Sequence, residues 1–284
     1  MTTVYLNGAY VAKERALISV EDRGFTFGDG IYEGVRAIAG RLFEWHAHAA
    51  RMINSLAGLR INVAPEQVAA LGTVGERLLR DNALVEGEAF LYFAVTRGAA
   101  PRAHGFPPPG TPPTVFVSAT PFVVPRELRQ RGGAAITHED LRWSRCDWKT
   151  LNVLGSVLAR QAAVEAGAID AILVRDDVVT EGAATSVFAV VDGVIRTHPA
   201  GRRILPGVTR DLVIASAAAL ELAIRQEAVT AAELRRAEEI FLCGTTTDVT
   251  PIVTLDDATV GTGTPGPITR RLHDALEARL YAMP

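Results

Sequence analysis

The chain has 284 residues, of which 48% are hydrophobic and 21% charged, so it has the composition of a globular protein with a sizeable core. Its net charge of −3 gives no electrostatic reason to expect nucleic acid as a partner. The cysteines Cys146 and Cys243 form no metal-ligand pattern and fit a reducing compartment better than a disulfide framework. No secretion signal and no apolar run of the roughly 18 residues that a membrane span needs are present, which predicts a soluble cytoplasmic protein without a membrane partner.

The first 120 residues predict a small α/β domain. It begins with a hairpin around Asn7-Gly8, because Asn-Gly suits the left-handed angles of a tight turn. Apolar spacing predicts a helix over His46–Leu59, and Pro65 marks the start of a second helix. A proline-rich loop at 97–113 is long for a compact domain, and such loops are either functional or disordered. The predicted strands are Ile31–Ile38, Leu42-Phe43, Ala89–Thr96 and Thr114–Ala119.

Residues 121–284 predict a larger domain in which strands and helices alternate. Thr120–Arg126, with two prolines, is typical of a linker between the two parts. The predicted helices are Val153–Gly167, Pro206–Leu222 and Pro267–Ala282, and the predicted strands are Ala134–His138, Ala168–Arg175, Thr185–Val191 and Ile240–Cys243. This order indicates an α/β protein, of the α+β type, with domains at 1–120 and 121–284.

One lysine is notable because the chain is poor in lysine. The cationic residues are nearly all arginine, and Lys13 and Lys149 are the only two lysines. Arginine cannot form a Schiff base, whereas a lysine amine whose pKa is lowered by burial can. Lys149 lies in the segment SRCDWKTLN, between aromatic and apolar neighbours just before a predicted helix. Taken alone, this position fits either a reactive amine or an ordinary exposed lysine.

Three other stretches carry groups that suit a phosphorylated aromatic ligand. In VVTEG, Glu181 ends an apolar strand, where it is either solvated or able to keep a pyridine nitrogen protonated. In ILPGVTR, the amides of a helix start and the Thr209 hydroxyl form either a phosphate site or simply a capped helix. In GTTTD, the hydroxyl cluster after Ile240–Cys243 either completes a phosphate site or forms a turn.

The order and spacing of these stretches resemble the class IV, or fold-type-IV, aminotransferases over nearly the whole chain. This family includes D-amino acid transaminases, branched-chain aminotransferases and aminodeoxychorismate lyases. SRCDWKTLNVLGSVLARQAAVEAG resembles its lysine segment, VVTEGAATSVFAV its glutamate segment, ILPGVTRDLV its phosphate-binding helix start and CGTTTDVTPI its second phosphate contact. The resemblance implies a smaller N-terminal and a larger C-terminal domain, with pyridoxal 5'-phosphate bound between them.

The resemblance also implies a role for each site residue. Lys149 would form the Schiff base with the cofactor and move the proton during the transferase reaction. Glu181 would pair with the pyridine nitrogen, and Leu205 would pack against the cofactor ring. The residues that hold the phosphate would be Arg51, Val208, Thr209 and Thr245.

Two stretches resemble the D-amino acid branch of the family. FTFGDGIYEGVRAI resembles its first active-site strand and places Tyr32 toward the substrate. RGAAPRAH resembles its arginine-x-histidine carboxylate trap, on Arg102 and His104. A planar guanidinium can hold a carboxylate through two parallel hydrogen bonds, and a histidine or phenol can complete the site. In family members this loop is contributed across a dimer interface, so the resemblance implies a homodimer.

The expected activity is transamination between D-amino acids and a 2-oxo acid, pyruvate or 2-oxoglutarate. Two departures from the family pattern leave room for (R)-primary amines: Gly34, where a larger residue is more common, and the run Ala183-Ala184-Thr185-Ser186, which replaces a more hydroxyl-rich one. The alternatives are a branched-chain L-amino acid aminotransferase, an aminodeoxychorismate lyase and a non-catalytic pyridoxal-phosphate-binding protein. The first two leave Arg102-x-His104 without a purpose, and the third is expected to lack the lysine or the glutamate.

Overall fold

The computed structural model describes residues 2–282, which divide into two compact units. The first unit runs to Val124 and also contains Trp148–Asn152, and the second consists of Pro125–Asp147 and of the chain from Val153 onward. The sequence predicts a single boundary at 120/121, four residues earlier than the division at 124/125. Residues 148–152 belong to the first unit because of their tertiary contacts, and no change of composition in the sequence marks them as part of it.

Among its described residues, the first unit contains one antiparallel sheet, three α-helices and a short 3-10 helix at Lys13–Arg15. Its elements are β1 (Thr3–Leu6), β2 (Ala9–Ala12), α1 (Arg23–Phe27), β3 (Gly30–Ile38), β4 (Arg41–Leu42), α2 (Trp45–Leu59), α3 (Pro65–Asp81), β5 (Glu88–Thr96) and β6 (Thr114–Pro121). The strands pair in the order β2-β1-β6-β5-β3-β4. Helices α2 and α3 supply Met52, Leu56 and Leu78 to its apolar core. Asn7 and Gly8 have φ angles of 49° and 94°, the left-handed region that the β1–β2 turn requires.

The second unit contains a mixed sheet and five helices among its described residues. Its elements are α4 (Arg126–Arg131), β7 (Gly133–Glu139), α5 (Leu154–Glu165), β8 (Asp170–Arg175), β9 (Val178–Gly182), β10 (Ser186–Val191), β11 (Val194–Arg196), α6 (Val208–Ala219), β12 (Ile224–Arg225), α7 (Ala231–Arg235), β13 (Glu239–Gly244), β14 (Asp248–Leu255), β15 (Ala258–Thr259) and α8 (Pro267–Tyr281). The sheet order is β12-β11-β10-β13-β14-β7-β8-β9, and β15 pairs with β14. Strand β7 is parallel to β14 and β8, whereas β10, β13 and β14 pair antiparallel. Val187, Leu242 and Ile252 join three of these strands in an apolar core.

The mixed α/β architecture confirms the fold class predicted from the sequence. The predicted helices and strands are all present with small shifts at their ends; the helix expected from Pro206, for example, begins at Val208 after its N-cap Gly207. Part of the predicted linker Thr120–Arg126 is instead ordered, because β6 continues to Pro121. Among residues 2–282, no helix is both long enough and apolar enough to cross a membrane.

Candidate active site

The segment around Lys149 lies against the start of β3 in the first unit. The Lys149 carbonyl accepts a hydrogen bond from the Tyr32 amide (2.9 Å), and Ile31 and Thr150 form an antiparallel bridge. The Lys149 amide donates to the hydroxyl of Ser55 in α2 (3.1 Å), so both backbone groups of the lysine are fixed. Its Nζ lies 4.2 Å from the centroid of the Tyr32 ring, a cation–π contact. The structure therefore brings Lys149 together with Tyr32, the residue predicted to face the substrate.

Arg51 lies in a buried cluster with Glu33 and His48. Its Nε donates to Glu33 Oε2 (2.9 Å) and its Nη2 to Oε1 (2.5 Å), while His48 Nδ1 lies 3.1 Å from Oε1. Glu33 is fully buried, and His48 and Arg51 are 2% and 8% exposed. Burial by itself would raise the pKa of Glu33, but the charge of Arg51 and the hydrogen bond from His48 lower it to about 2. The cluster fixes the Arg51 guanidinium, whose contact with a phosphate stays a prediction.

Ser55 connects this cluster to the lysine segment. Its hydroxyl donates to the Arg51 carbonyl one helical turn earlier (2.9 Å) and accepts the hydrogen bond from the Lys149 amide. The sequence analysis predicts neither Ser55 nor Glu33 as a site residue. A glutamate inside the apolar strand Gly30–Ile38 is nevertheless a usable signal, because an unpaired carboxylate is rarely buried.

The space beside Gly34 is filled by an aromatic ring from the neighbouring strand. A Cβ at position 34 would lie 2.7 Å from Cζ of Phe90, closer than real Cβ contacts allow. On the same strand as Phe90, Tyr92 stacks on Tyr32 with ring centroids 5.8 Å apart. Gly34 therefore does not leave an open space in the first unit, because Phe90 takes the volume that a larger residue at 34 would need.

Arg102 and His104 lie in the proline-rich loop of the first unit and are both exposed. The Arg102 guanidinium is 5.0 Å from the centroid of the Phe27 ring, and the His104 ring is 5.6 Å from the same ring. The structure thus gathers the two residues of the predicted carboxylate trap around one phenylalanine at the end of α1. Their role in binding a carboxylate stays a prediction.

Glu181 is the penultimate residue of β9 in the second unit and is 6% exposed. The Leu205 amide is 3.1 Å from each of its carboxylate oxygens, and Arg142 donates to Oε1. The Arg142 guanidinium is itself held by Asp140 through two hydrogen bonds of 2.8 Å, from Nε and Nη2. Burial would lower the pKa of Arg142, but Asp140 and Glu181 together raise it above its ordinary value. Leu205, predicted as the ring contact, therefore adjoins Glu181.

Arg142 and Asp140 are not predicted by the sequence analysis. Asp140 also accepts a hydrogen bond from the Thr180 hydroxyl (2.9 Å), next to Glu181 in β9. These contacts tie the segment after β7 to the end of β9. The closeness of two acidic residues and one basic residue in EDLRW is the only local signal, and it is typical of many exposed segments as well.

The start of α6 and the turn after β13 both border Ser186, the first residue of β10. A Cβ at Gly207, the N-cap of α6, would lie 2.9 Å from Ser186 Oγ. Ser186 also pairs with Cys243, and β13 ends at the next residue, before the turn 245–247. Two stretches that the sequence predicts as phosphate-binding therefore lie close to the same strand end.

These two stretches contain suitable donors, although Val208 and Thr209 are only 8% and 7% exposed. Val208 and Thr209 form the first turn of α6, where amides have no intrahelical acceptor and the helix dipole favours negative charge. Thr245 is half-buried in the turn. Arg129 of α4 stabilises this turn, because it donates to the Thr246 carbonyl (2.9 Å) and pairs with Asp248 (2.5 Å).

In the run Ala183-Ala184-Thr185-Ser186, the Thr185 hydroxyl makes a hydrogen bond within the second unit. Thr185 Oγ1 donates to Asp170 Oδ2 (2.7 Å), and the Gly182 amide donates to the Thr185 carbonyl (2.7 Å). Burial raises the pKa of Asp170, and the hydrogen bond from Thr185 opposes this rise by stabilising the carboxylate. Thr185 therefore serves the turn between β9 and β10.

Each unit carries groups that fit a part of pyridoxal phosphate. In the first unit, Lys149 offers an amine for a covalent link. In the second unit, Glu181 offers a buried carboxylate that suits the ring nitrogen. The α6 start and the threonine turn offer amide and hydroxyl donors for the phosphate. The donor set therefore fits the cofactor that the sequence predicts.

Several known proteins are similar to this chain over nearly its whole length. The family model described as amino-transferase class IV matches residues 30–255. The D-alanine aminotransferase of Staphylococcus epidermidis is 42% identical over 279 residues, which cover 98% of this chain and 97% of that protein. The solved structure of the branched-chain amino acid aminotransferase of Escherichia coli matches with a TM-score of 0.90 at 26% identity, over 97% of this chain and 93% of that one.

A second solved structure includes a cofactor derivative. The branched-chain amino acid aminotransferase of T.th., complexed with N-(5'-phosphopyridoxyl)-L-glutamate, is 31% identical with a TM-score of 0.84, over 98% of this chain and 93% of that one. The family model runs from the first residue of β3 to the last residue of β14, and thus includes both Lys149 and Glu181. The chain therefore belongs to the class IV aminotransferases, whose cofactor is pyridoxal 5'-phosphate.

Proposed function

We propose that the protein transfers the amino group of D-amino acids to a 2-oxo acid, either pyruvate or 2-oxoglutarate. The observation that carries the proposal is the 42% identity to a D-alanine aminotransferase over almost the full length of both chains. The Arg102-x-His104 pair, which resembles the carboxylate trap of the D-amino acid branch, supports it further.

Each predicted site residue would have its own contact with the cofactor. Lys149 would bind it covalently, Glu181 would pair with its ring nitrogen, and Leu205 would pack on its ring. The Leu205 amide and Arg142 orient the Glu181 carboxylate, so that it need not reorganise when the cofactor binds. The phosphate would be bound by Arg51, Val208, Thr209 and Thr245.

The bound cofactor supplies an electron sink that stabilises negative charge at the substrate α-carbon. The Lys149 amine would take the α-proton as a general base and return a proton as a general acid. Because the Lys149 backbone is fixed by Ser55 and Tyr32, only the flexible side chain must move between the two transfers. Transfer of the amino group from the donor to a 2-oxo acid would take two half-reactions in a ping-pong sequence, with the Lys149 amine moving the proton in each.

Arg102 and His104 would bind the substrate carboxylate, and Tyr32 would face the substrate. The Arg102 guanidinium can donate two parallel hydrogen bonds to a carboxylate, and His104 can add a third. Both side chains are exposed on the first unit, where a ligand can reach them. This role explains why an exposed loop carries a conspicuous Arg-x-His sequence.

A branched-chain L-amino acid aminotransferase is the second candidate function. Gly34 and the TM-score of 0.90 to the Escherichia coli enzyme favour it. Similarity of backbone structure reports the fold more directly than the substrate. Sequence identity is 26% to that structure but 42% to the D-alanine aminotransferase, so we rank the D-amino acid reaction first.

An absorbance spectrum of the cofactor-loaded protein tests the substrate class. We expect the visible band of the bound cofactor to be replaced by a near-ultraviolet band when D-alanine is added, and to change little with L-leucine. The opposite preference would establish the branched-chain reaction instead. Absence of a visible band after pyridoxal phosphate is supplied would contradict the cofactor assignment to these residues.

Lys149→Ala tests the residue assignment separately. We expect transamination of D-alanine to fall by at least about a thousandfold, because both the covalent link and the proton-transferring amine are lost. Lys13→Ala removes the only other lysine and provides the matched control, with activity close to that of the wild type. A Lys149→Ala protein that transaminates at the wild-type rate would contradict the assignment.

We also expect the protein to be a cytoplasmic homodimer. The family resemblance implies a dimer, and the first unit exposes Leu17, Val20 and Phe25 with 82%, 78% and 78% of their surface accessible. Large apolar side chains concentrated within 17–25 are typical of a surface that another chain covers. Light scattering of the cofactor-loaded protein should give twice the chain mass, and the mass of a single chain would contradict the proposal.

A further inference from the structure

The loop 97–113 is anchored at its base although it is rich in proline. The Arg23 amide donates to the Gly98 carbonyl (2.9 Å), and Asp22 and Ala99 form an antiparallel bridge. Gly98 has a φ angle of 92°, and a Cβ there would lie 2.0 Å from the Pro112 carbonyl oxygen. Only glycine allows the two ends of the loop to approach so closely. The loop therefore starts from a fixed base.

Asp29, just before β3, holds two arginines beside this base. Its carboxylate accepts hydrogen bonds from Arg23 Nε (2.8 Å) and from Arg97 Nε and Nη2 (2.7 and 2.8 Å). The side chains of Arg23, Asp29 and Arg97 are only 5%, 12% and 9% exposed. Burial would raise the pKa of Asp29, but the hydrogen bonds from Arg97 and Arg23 lower it below its ordinary value. These three residues, here called the Asp29 cluster, form a partly desolvated ionic unit.

Arg23 carries the Asp29 cluster to the Arg102-x-His104 sequence. Its Nη1 donates to the carbonyl of Ala103, the residue between Arg102 and His104 (2.7 Å). Its guanidinium also lies 4.7 Å from the centroid of the Phe27 ring, the ring that contacts both Arg102 and His104. Arg23 therefore reaches the backbone between the two exposed side chains and shares their aromatic support.

Arg97 fixes the following part of the loop. Its guanidinium lies 3.8 Å from the centroid of the Phe106 ring, and that of Arg60 lies 4.6 Å from the same ring. Arg97 also donates to the carbonyls of Leu59 and Arg60 at the end of α2 (2.8 and 3.0 Å). The loop is thus held at Ala103, within Arg102-x-His104, and at Phe106, two residues beyond His104, by arginines that share one carboxylate.

We propose that Asp29 is a positioning residue that, through Arg23 and Arg97, holds Arg102 and His104 ready for the substrate carboxylate. This inference rests on the proposed function, in which those two side chains bind that carboxylate. A loop that is already held in its binding geometry loses little conformational freedom when the substrate binds. If the loop adopts this geometry only part of the time, the affinity for the substrate falls in proportion to that fraction of time. Without the Asp29 charge, Arg23 and Arg97 repel each other, and the contacts to Ala103 and Phe106 weaken together.

Asp29→Asn tests the inference because the amide keeps the size of the side chain and removes its charge. We expect the KM for D-alanine to rise about tenfold, which corresponds to a loop that is correctly placed about a tenth of the time, while kcat at saturation stays within about twofold. The visible absorbance of the bound cofactor should be unchanged. Asp81→Asn is the matched control, since Asp81 also pairs with an arginine of the first unit (Arg77, 3.3 Å) but lies on exposed α3.

Phe27→Leu provides a second variant that leaves the Asp29 cluster intact. It removes the aromatic face under Arg23 and Arg102, so we expect the KM for D-alanine to rise about threefold with kcat retained. If Asp29→Asn protein cannot be purified in folded form, Arg23→Gln takes its place, because it removes the donor to the Ala103 carbonyl and leaves the pair between Asp29 and Arg97. An unchanged KM for D-alanine in Arg23→Gln would then overturn the inference.

Arg102→Ala separates this inference from the proposed function. If Arg102→Ala leaves the KM for D-alanine unchanged, the carboxylate role of Arg102 is wrong, and the inference that rests on it is overturned as well. If Arg102→Ala raises the KM but Asp29→Asn does not, the proposed function stands and only the positioning role is overturned. If Asp29→Asn lowers kcat as much as kcat/KM or abolishes the cofactor band, its effect is a general structural one, which also overturns the positioning role.

Discussion

Two buried glutamates, one in each unit, are paired with arginines in different ways. Glu33 lies in the middle of β3 and has no exposed surface. Arg51 binds both of its oxygens directly, and His48 contacts one of them. The Arg51 guanidinium therefore makes its two-pronged contact with Glu33 itself.

Glu181 lies near the end of β9 and keeps 6% of its surface exposed. Its arginine, Arg142, makes its two-pronged contact with a second carboxylate, Asp140, and reaches Glu181 through the remaining nitrogen. Arg142 thus keeps a carboxylate partner even without Glu181, although it shares Asp140 with Arg175, whose Nη2 lies 3.0 Å from Asp140 Oδ1. The comparison indicates that Glu33 chiefly stabilises the fold and the placement of Arg51, whereas Glu181 can serve a bound ligand at little cost to the fold.

The largest expected effect is on stability, in Glu33→Gln. The amide would remove the negative charge that Arg51 contacts in this buried pair, and removal of one partner of a buried pair costs about 3 to 5 kcal/mol in free energy of unfolding. Urea unfolding of the cofactor-loaded enzyme measures the change. Glu127→Gln is the matched control, because the Glu127–Arg131 pair is exposed (2.7 Å) and should change stability by less than about 0.5 kcal/mol. A loss below about 1 kcal/mol for Glu33→Gln would remove the contrast with Glu181.

The same variant has a predicted pH dependence. The folded-state pKa of Glu33 is about 2, below the ordinary value of 4.5, so its contribution to stability is fully present above pH 4.5 and disappears as the pH falls toward 2. Glu33→Gln lacks this contribution. The difference in unfolding free energy between wild type and variant should therefore narrow as the pH is lowered through this range. A difference that stays constant would show that the Glu33 charge is not its source.

The second prediction concerns activity, in Glu181→Gln. An amide cannot keep a pyridine nitrogen protonated, so we expect kcat for D-alanine to fall about a hundredfold, equivalent to about 2.7 kcal/mol of transition-state stabilisation. Because Arg142 keeps Asp140 as its partner, the loss of stability should be only about 1 kcal/mol. Steady-state kinetics and urea unfolding of the same protein check both values. Unchanged kcat with a large loss of stability would reverse the roles assigned to the two glutamates.

The sequence predicts those fold elements whose signals are local. Asn7-Gly8 specifies its turn, and Pro65 at the first position of α3 specifies a helix start. Helix α7 also begins with a local signal, a capping box: the Thr230 hydroxyl accepts a hydrogen bond from the Glu233 amide (3.1 Å), and the Glu233 carboxylate accepts one from the Thr230 amide (2.9 Å). Strand β14 is harder to predict, because Pro251 in its interior argues against a central strand.

The candidate site divides in the same way. Lys149 and Glu181 can be proposed from the sequence because each lies in a contiguous stretch with a recognisable order of residues. The partners of the buried charges could not, since Glu33 and Arg51 are 18 residues apart, and Arg142 and Glu181 are 39 apart. Such pairs form only when strands and helices pack, and many carboxylates of the chain are equally plausible partners before that. The physical limit is therefore long-range pairing rather than residue chemistry.

The smallest predicted effect is on stability, in Gly34→Val. This variant tests side-chain packing on the face of β3 opposite to Glu33, without changing a charge. Successive strand residues point to opposite faces, so Gly34 faces away from the Glu33 cluster, and a Cβ there would lie 2.7 Å from Phe90 Cζ. Gly34→Val should therefore cost about 1 to 3 kcal/mol by overpacking, without the pH dependence of Glu33→Gln. Phe90→Ala in the same chain should relieve the clash, so that the double variant is about 1 kcal/mol more stable than the sum of the single effects predicts. Strict additivity in urea unfolding would mean that Phe90 moves aside freely, and the volume beside Gly34 would then be open to a larger substrate side chain.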